Sequence, residues 1–475
     1  MLNNANDKNS LYALNIRQRK VYEEAVSKPD TVKFNNILLV KFDSWIDLIR
    51  LKEAVITAVN NHQFINSRII VDENGQPYYR KTDSDNNFSI RDIEEIKFES
   101  KDIDEIKNTL ARPFNIIENR LFRVKIINAK GLYIFLEMHQ LISDDSSLQI
   151  FLEDVSQAYL AYEMKKEEMC GYEVLIQEKN QLNSDEYTSS QKYFSEVIDG
   201  YDADFKLIGD VNNSEEKISK TMELVSRRAI ADMVKSFCKS SNLTVEGFFT
   251  AAFGYLLSEY NAGKNSLFNT IYSGRNDSKL KNTVSMLSRK LPVACDVTTE
   301  NALMSVVDYI KGIDSQLSDS KNNSIYPFEE LVVEKGLTSN VVLNYQGEDF
   351  NFYSFCGKIS KPIEIHSVEV KSPILFRVSI HGAEITYNVD YDAGLYSSEF
   401  IDCFLDAYDV VISEFMMRQK LSEVETTSYK VVKLLNGLKS GENADCEVLD
   451  RHGKLIPPGA FGYLNSSKTI TRLLF

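Results

Sequence analysis

The chain has 475 residues, of which 43% are hydrophobic, so it is long enough for two or three domains with substantial apolar cores. Its 54 lysine and arginine residues are outnumbered by 69 aspartate and glutamate residues, which gives a formal net charge of −15. This excess of negative charge disfavours a nucleic-acid backbone or an anionic membrane as a partner.

Neither a membrane span nor a signal peptide is predicted. No segment reaches the roughly 18 apolar residues of a transmembrane helix, and the N-terminus, MLNNANDKNS, lacks a basic-then-apolar pattern. We therefore expect a cytoplasmic protein. We also expect it to be a monomer. The cysteines have no CxxC or metal-like spacing, which predicts free thiols rather than disulfides or zinc ligands. They are Cys170, Cys238, Cys295, Cys356, Cys403 and Cys446.

The first predicted elements are a strand, a helix and a hairpin. The apolar run ILLVKF at 37–42 predicts a buried strand, and apolar residues at helical spacing from Trp45 to Ala58 predict a helix that ends near His62. Asn74-Gly75 lies between two short apolar runs, which is a strong hairpin signal.

The most informative segment follows, at residues 131–164. Apolar residues alternate with other residues from Leu132 to His139, which predicts a strand with two differently lined faces. A short polar loop leads into an amphipathic helix, for which Ser146 and Gln149 predict a capping box.

The loop sequence HQLISDD, residues 139–145, resembles the HHxxxDG motif of nonribosomal peptide synthetase condensation domains. In that family the second histidine is the candidate catalytic base, the aspartate forms a structural ion pair, and the glycine lets substrate approach the backbone. Gln140, Asp144 and Asp145 occupy those positions here, and a glutamine cannot accept a proton near neutral pH. The resemblance implies Gln140, His139 and Asp145 as the candidate catalytic positions, although the strand parity of His139 favours an ordinary core role.

Other segments extend the resemblance over both halves of the chain. NHQFINSRI at 61–69 is similar to the family's RHExLRTRF, and RPFN at 112–115 with LFRV at 121–124 is similar to PFDLxxGPLLR. The later segments PFEEL, NYQ and YNVDY, which begin at residues 327, 344 and 387, match structural signatures of the family. His62 and Arg68 are retained from the first of these motifs, and we expect His62 to have an ordinary core or surface role.

The second half begins with helical patterns at 225–241 and 244–260 and an apolar strand at 267–272. In the family, an arginine after this strand pairs with the motif aspartate, which implies a structural ion pair between Arg275 and Asp144. SMLSRKLP at 285–292 aligns with GFFVNTLP, and Ser285, Arg289 and Lys290 replace the glycine, asparagine and threonine that line the tunnel or latch.

The resemblance implies a mixed α/β fold of two chloramphenicol-acetyltransferase-like lobes that form a V-shaped pseudo-dimer. We expect an N-terminal lobe at 1–184, a C-terminal lobe at 185–420 and a small β extension at 421–475. Within that extension, residues 446–464 resemble a fragment of an adenylation domain, without a phosphate loop.

Three functions remain open at this stage. The first is an active acyl transferase that joins a carrier-bound thioester to an amine, in which orientation supplies much of the rate. The second is a recruitment or gating domain similar to the X domains of glycopeptide assembly lines, whose motif is HRxxxDD. The third is a coenzyme A acyltransferase, which needs a histidine where Gln140 stands.

The resemblance also implies the partners. We expect carrier proteins whose phosphopantetheine arms hold the substrates, and a tailoring enzyme if the role is recruitment. We expect no bound cofactor and no metal.

Overall fold

The computed structural model of the chain describes residues 11–43, 45–81, 88–98, 101–211, 218–226, 230–297, 303–338, 340–348, 350, 353–363, 369–428, 448–450, 452–464 and 470–472. Cys446, the first residue of the segment that resembles an adenylation domain, lies outside the described residues. The structural statements below concern the described residues alone.

The helices and strands alternate along the chain. The helices are α1 (Ile16–Ser27), α2 (Leu48–Asn61), α3 (Ile103–Ile106), α4 (Asp145–Tyr159), α5 (Gly171–Gln181), α6 (Asp185–Val197), α7 (Ala231–Ser241), α8 (Val245–Tyr260), α9 (Val306–Asn322), α10 (Phe328–Lys335) and α11 (Ser398–Met417). The strands are β1 (Leu11–Ala13), β2 (Asn35–Phe42), β3 (Arg68–Val71), β4 (Pro77–Arg80), β5 (Ile93–Lys97), β6 (Phe122–Ala129), β7 (Gly131–His139), β8 (Ser219–Val225), β9 (Ser266–Tyr272), β10 (Arg289–Cys295), β11 (Val341–Glu348), β12 (Tyr353–Phe355), β13 (Lys358–Ser360), β14 (Ile374–His381), β15 (Glu384–Asp392), β16 (Val448–Leu449), β17 (Phe461–Leu464) and β18 (Ile470–Arg472).

The chain divides into two compact units. The first comprises Met1–Thr188 together with two later segments, Ser273–Arg289 and Asn351–Glu369. The second comprises Ser189–Tyr272, Lys290–Phe350 and Val370–Phe475. Residues far apart in sequence therefore belong to the first unit.

The main sheet of the first unit has the strand order β2-β7-β6-β5. Strand β7 pairs antiparallel with both β2 and β6, while β5 and β6 are parallel. The alternation predicted for β7 is confirmed, because Ile134 and Leu136 pack in one apolar cluster with α2 and α4, while Phe135 packs in a second cluster with α3. Both faces of the strand are buried, which fixes its register.

Two smaller predictions in the first unit have different outcomes. The hairpin at Asn74-Gly75 is confirmed, since β3 and β4 pair antiparallel around Gly75, whose φ is +78°. Helix α2 begins at Leu48 rather than at Trp45, because the Asp47 side chain accepts a hydrogen bond from the backbone N–H of Arg50 and caps the helix there.

The predicted cap of α4 is wrong. The N-cap is Asp144, whose side chain accepts a hydrogen bond from the backbone N–H of Ser147 at 3.0 Å. Ser146 lies inside the helix, which begins at Asp145. An aspartate satisfies the exposed N–H groups of a first turn as well as a serine does, so Asp144 caps the helix two positions before the predicted Ser146.

The main sheet of the second unit has the strand order β10-β9-β11-β14-β15-β8. Strand β11 is parallel to β9 and β14, whereas β15 is antiparallel to β14 and β8. The helical pattern predicted from Val225 is wrong at its start, because Val225 ends β8 and pairs with Thr386 of β15. Backbone hydrogen bonds to a neighbouring strand outweigh local periodicity there.

The short C-terminal strands form a sheet of order β16-β17-β18 that belongs to the second unit. Ile456 and Ala460 are fully buried in this region. The carbonyl oxygen of Pro458 accepts a hydrogen bond from the Tyr260 hydroxyl of α8 at 3.5 Å, and Phe461 of β17 forms an isolated parallel bridge with Asn261, the residue after α8. The described part of the extension is therefore packed against the second unit.

Candidate functional site

The loop between β7 and α4 is held by side chains from earlier parts of the first unit. The carbonyl oxygen of Leu141 accepts hydrogen bonds from the Tyr79 hydroxyl at 2.7 Å and from Gln18 Nε2 at 3.3 Å. Asn36 Nδ2 donates to both the carbonyl oxygen and the hydroxyl of Ser143, at 3.2 and 3.1 Å. Because breaking a buried hydrogen bond leaves a polar group unsatisfied, these contacts hold the loop in one conformation.

His139 ends β7 and is enclosed, with only 3% of its surface exposed. The centre of its ring lies 6.0 Å from that of Phe34 and 5.8 Å from that of Phe114. Its Nδ1 accepts a hydrogen bond from the backbone N–H of Leu141 at 3.2 Å, so the lone pair on that nitrogen is already used. The structure places His139 as a packed residue at the end of a strand.

Gln140, the replacement for the family's second histidine, is half-buried. Its backbone N–H donates to the carbonyl oxygen of Phe34 at 2.7 Å. Among the residues that the structure describes, its side-chain amide has no hydrogen-bond partner. The amide can donate and accept hydrogen bonds, but it cannot take up a proton near neutral pH.

Asp144 and Arg275 form a bidentate ion pair inside the first unit. Arg275 Nη1 donates to Asp144 Oδ2 and Nη2 donates to Oδ1, both at 2.8 Å. The two side chains are 4% and 8% exposed. Arg275 Nη2 also donates to the carbonyl oxygen of Thr283 at 3.0 Å. Two parallel N–H···O bonds give such a pair both strength and a defined orientation.

Asp144 also holds the segment around residue 287. Its Oδ2 accepts hydrogen bonds from the backbone N–H groups of Leu287 and Ser288, both at 3.0 Å. Its Oδ1 accepts from the hydroxyl and the backbone N–H of Ser147. Burial alone would raise the pKa of Asp144, but the charge of Arg275 and these hydrogen bonds lower it below the usual value. The ionised carboxylate is therefore a structural anchor.

Asp145 is the first residue of α4, and its side chain is exposed. A carboxylate in the first turn interacts favourably with the helix dipole. Burial raises the pKa of the Tyr353 hydroxyl, and the charge of Asp145 raises it further. Asp145 thus adds negative charge where the family motif has a glycine.

The three predicted tunnel or latch residues have different surroundings. Ser285 is 2% exposed, and its carbonyl oxygen accepts a hydrogen bond from the Ser147 hydroxyl at 3.0 Å. Arg289 Nη2 donates to Glu178 Oε1 at 3.0 Å. Ser285 and Arg289 therefore contribute to contacts within the first unit, whereas Lys290 is half-buried in β10 of the second unit.

A second group of charged side chains holds the segment around residue 287, and no sequence pattern predicts it. Arg17 Nη1 donates to the carbonyl oxygens of Leu287 and Ser288, at 3.1 and 2.9 Å, and Nη2 donates to Glu178 Oε1 at 2.6 Å. Burial would raise the pKa of Glu178, but the charges of Arg17 and Arg289 lower it below the usual value. These residues are too far apart in sequence for any spacing pattern to connect them.

His62, for which the sequence predicts only an ordinary core or surface role, contacts two carboxylates. Its Nε2 lies 2.8 Å from Asp154 Oδ2, and its Nδ1 lies 3.2 Å from Glu167 Oε1. Burial would lower the pKa of His62, but the two carboxylates raise it to about 9. Glu167 Oε1 also accepts a hydrogen bond from the backbone N–H of Val284 at 2.9 Å. The buried His62 ring therefore lies between Asp154 of α4 and Glu167, whose carboxylate contacts the segment near residue 284.

The described residues contain no group of three or more His, Cys, Asp or Glu side chains placed to hold a metal ion. In the same part of the chain, no helix is long and apolar enough to cross a membrane. The cysteines there are free thiols, namely Cys170, Cys238, Cys295, Cys356 and Cys403.

Several solved structures share this fold. The first condensation domain of the calcium-dependent antibiotic synthetase, in complex with a substrate analogue, has a TM-score of 0.74 at 14% identity and covers 89% of this chain and 100% of that chain. The X-domain from teicoplanin biosynthesis has a TM-score of 0.72 at 13% identity, with coverages of 89% and 99%. The predicted fold class is confirmed: the chain has the mixed α/β, chloramphenicol-acetyltransferase-like fold of condensation domains.

The related sequences are much longer proteins. Surfactin synthase subunit 2 of Bacillus subtilis (strain 168) is 21% identical over 409 residues, which are 82% of this chain and 11% of that protein. Gramicidin S synthase 2 of Aneurinibacillus migulanus is 20% identical over 435 residues, which are 88% of this chain and 10% of that protein. The family model named Condensation domain matches residues 8–434, and the chain therefore belongs to the condensation domain family.

Proposed function

We propose that this chain is a degenerate condensation domain of nonribosomal peptide or hybrid biosynthesis, which binds carrier-tethered acyl or peptidyl thioesters and acts in recruitment or gating. Gln140 is the observation that carries this proposal, because it stands where the family motif has its second histidine. The substrates would be held on phosphopantetheine arms of carrier proteins. We also propose a division of the sequence into lobes at 1–184 and 185–420 and an extension at 421–475, in which the segments 273–289 and 351–369 of the second lobe belong to the first compact unit.

The surroundings of Gln140 support a loss of acid–base chemistry. An amine that attacks a thioester must lose a proton, and a positioned base usually accepts it. Asp144 is occupied by Arg275 and by backbone N–H groups, while His139 uses Nδ1 to accept from Leu141. The loop thus keeps its structural contacts while the side chain at the position of the base cannot be protonated near neutral pH.

A recruitment role is suggested by one kind of structural neighbour. The complex of the X-domain and OxyB from teicoplanin biosynthesis has a TM-score of 0.73 at 13% identity to this chain. The X-domain motif HRxxxDD and the segment HQLISDD both lack the second histidine and both end in two aspartates. We therefore propose a tailoring enzyme, acting on a carrier-bound peptide, as a second partner beside the carrier protein.

An active transferase is the alternative that one observation favours. The side-chain amide of Gln140 has no hydrogen-bond partner within the described ranges, so it can bind an incoming amine. Positioning alone can supply effective molarities of about 10⁵ M or more. A coenzyme A acyltransferase is not supported, because the residue four positions before Asp144 is Gln140 rather than histidine.

The test is detection by mass spectrometry of an amide product from two loaded carrier proteins. We expect that the wild-type chain binds the loaded carriers without turnover and that Gln140→Ala leaves this binding unchanged. Gln140→His should restore no condensation, because Asp145 still places a side chain where the family has glycine.

Gln63→Ala is a useful control, because Gln63 is an exposed glutamine in another part of the first unit. Robust product from the wild type that falls about 10- to 100-fold in Gln140→Ala would replace the recruitment proposal with catalysis by positioning, because such a fall is within the cost of about 1–3 kcal/mol for leaving the partner of a removed hydrogen-bonding group unsatisfied.

A further inference from the structure

The first unit contains a cavity of about 450 Å³ whose lining carries both positive and negative charge. This volume is within the range of about 300–1,000 Å³ that is usual for small-molecule sites. Two phenylalanine rings, those of Phe88 and Phe122, form part of the wall, and their centres lie 5.4 Å apart. The charged residues of the lining are Arg68, Asp92, Glu118, Arg120 and Arg123. The cavity therefore combines apolar surface with charges of both signs.

Three of these charged residues have partners within the protein. Arg123 Nη1 donates to Glu137 Oε2 at 3.0 Å. Arg120 Nη1 donates to Asn66 Oδ1 at 3.3 Å, and its Nη2 lies 3.6 Å from Asp92 Oδ2, which makes these two residues an ion pair. Arg123, Arg120 and Asp92 therefore form the wall of the cavity, and their charges are balanced by neighbouring groups.

Arg68, in β3, differs from the other two arginines. Its Nη1 donates to the carbonyl oxygen of Asn66 at 3.3 Å, but its guanidinium group forms no ion pair with any described residue. Burial is the main cause that lowers the pKa of Arg68 to about 10, and the charge of Asp92 opposes this shift only in part. Arg68 is therefore still protonated at neutral pH, and it has lost part of its hydration without gaining a close counter-ion. A carboxylate that enters the cavity would supply that counter-ion.

Glu118 places the opposite charge at the same cavity. Its φ is +61°, in the left-handed region that residues other than glycine adopt only at a cost. Its backbone N–H donates to the carbonyl oxygen of Ile69, the neighbour of Arg68 in β3, at 2.8 Å. Within the ranges that the structure describes, the Glu118 carboxylate has neither a hydrogen bond nor an ion pair. The backbone thus holds Glu118 close to β3, although its side chain does not pair with that of Arg68.

Two charges of opposite sign that do not pair with each other favour a ligand that carries both signs. An anion would be attracted by Arg68 and repelled by Glu118, and a cation would meet the reverse. A zwitterion satisfies both groups at once, because a guanidinium donates to a carboxylate while a carboxylate accepts from an ammonium group. A ligand without net charge also suits a lining whose other charges are already balanced.

We propose that this cavity binds a free α-amino acid with an apolar side chain, whose carboxylate is held by Arg68 and whose ammonium group is held by Glu118. Phe88 and Phe122 provide the apolar surface for the side chain of the ligand. The site goes beyond the proposed recruitment or gating function and does not depend on it.

The experiment is a calorimetric titration of the whole chain at neutral pH with L-leucine and with two analogues that each lack one charge. Isocaproate is leucine without its ammonium group, and isoamylamine is leucine without its carboxylate. We expect saturable binding of L-leucine and an affinity lower by about tenfold or more for each analogue, since each loses one charge-assisted interaction.

Variants test the role of each charge. Arg68→Gln and Glu118→Gln should each weaken the binding of L-leucine by about tenfold. Glu118→Gln should also strengthen the binding of isocaproate by a few-fold, because it removes a repulsive carboxylate. A purely structural role of Glu118 would not produce this opposite change. Arg91→Gln and Glu73→Gln are the matched controls, because both residues are exposed and neither lines the cavity.

Thermal melts followed by circular dichroism establish that each variant is folded, and the comparison of the three compounds on the wild type needs no variant. Three results would overturn the proposal: no saturable binding of L-leucine, equal affinity for L-leucine and isocaproate, or unchanged affinity for L-leucine in folded Arg68→Gln and Glu118→Gln. The recruitment proposal would be unaffected by any of them.

Discussion

The two ends of the loop from His139 to Asp145 differ in how strongly their side chains are held. At one end Asp144 accepts two hydrogen bonds from Arg275, two from Ser147 and two from the backbone N–H groups of Leu287 and Ser288. At the other end, the side chain of Gln140 bonds to none of the described residues. The aspartate of the family motif therefore makes a full set of hydrogen bonds. The side chain at the position of the base makes none with the described residues.

The largest expected effect is at the firmly held end. Asp144→Ala leaves a buried Arg275 without its counter-ion, and we expect it to lower the free energy of unfolding by about 3–5 kcal/mol. Arg275→Ala should have a similar effect. The double variant should cost less than the sum of the two losses, because both substitutions remove the same interaction.

Urea unfolding of the two single variants and the double variant measures this coupling. Asp145→Ala serves as the control, since it removes a neighbouring carboxylate that is exposed. Strictly additive losses, or an equal loss in the control, would show that the ion pair does not stabilise the loop.

The second expected effect is a pH dependence due to His62. Its pKa is raised in the folded chain to about 9, from 6.5 in an unperturbed histidine. A raised folded pKa means that the stabilisation is complete below about pH 6.5 and is lost as the pH rises through about 9. A shift of this size corresponds to on the order of 3 kcal/mol.

Unfolding midpoints measured from pH 6 to pH 10 for the wild type and His62→Gln test this prediction. The difference between the two should shrink as the pH rises, because the wild type alone loses the buried imidazolium. His452→Gln, in the second unit, is the histidine control. A difference that is constant over this range would contradict a charged His62.

A smaller effect is expected for the second group of charged side chains that holds the segment around residue 287, namely Arg17, Glu178 and Arg289. Glu178→Gln keeps the shape of the side chain but removes the charge that Arg17 and Arg289 share, and we expect a loss of about 2 kcal/mol in the free energy of unfolding. Glu186→Gln, on an exposed face of α6, is the matched control. If both variants unfold at the same urea concentration, the charge of Glu178 between the two arginines does not contribute to stability.

The smallest effect is expected at the loosely held end of the loop. Gln140→Ala removes no hydrogen bond among the described residues, so its free energy of unfolding should stay within about 0.5 kcal/mol of the wild type. The same urea series measures it. A loss comparable to that of Asp144→Ala would mean that Gln140 is a structural residue, and the contrast between the two ends of the loop would disappear.

Local patterns predicted the local structure well. The alternation in β7 and the turn at Asn74-Gly75 each depend on residues that are neighbours in sequence, and both are confirmed. Serine followed by glutamine three residues later is a capping pattern, which predicts Ser146 as the N-cap of α4, and this prediction is wrong. Asp144 is an equally good cap, and its additional contacts with Arg275 and Ser288 stabilise the earlier start.

The sequence by itself therefore determined the family, the mixed α/β fold and the replacement of the histidine by Gln140, because motifs and periodicity are properties of neighbouring residues. Only the tertiary structure decided that segments 273–289 and 351–369 belong to the first unit, that Arg17 and Arg289 share Glu178, and that two carboxylates raise the pKa of His62. Those outcomes depend on which distant side chains are buried together. Burial sets the strength of a charge interaction and the direction of a pKa shift, and no local spacing encodes it.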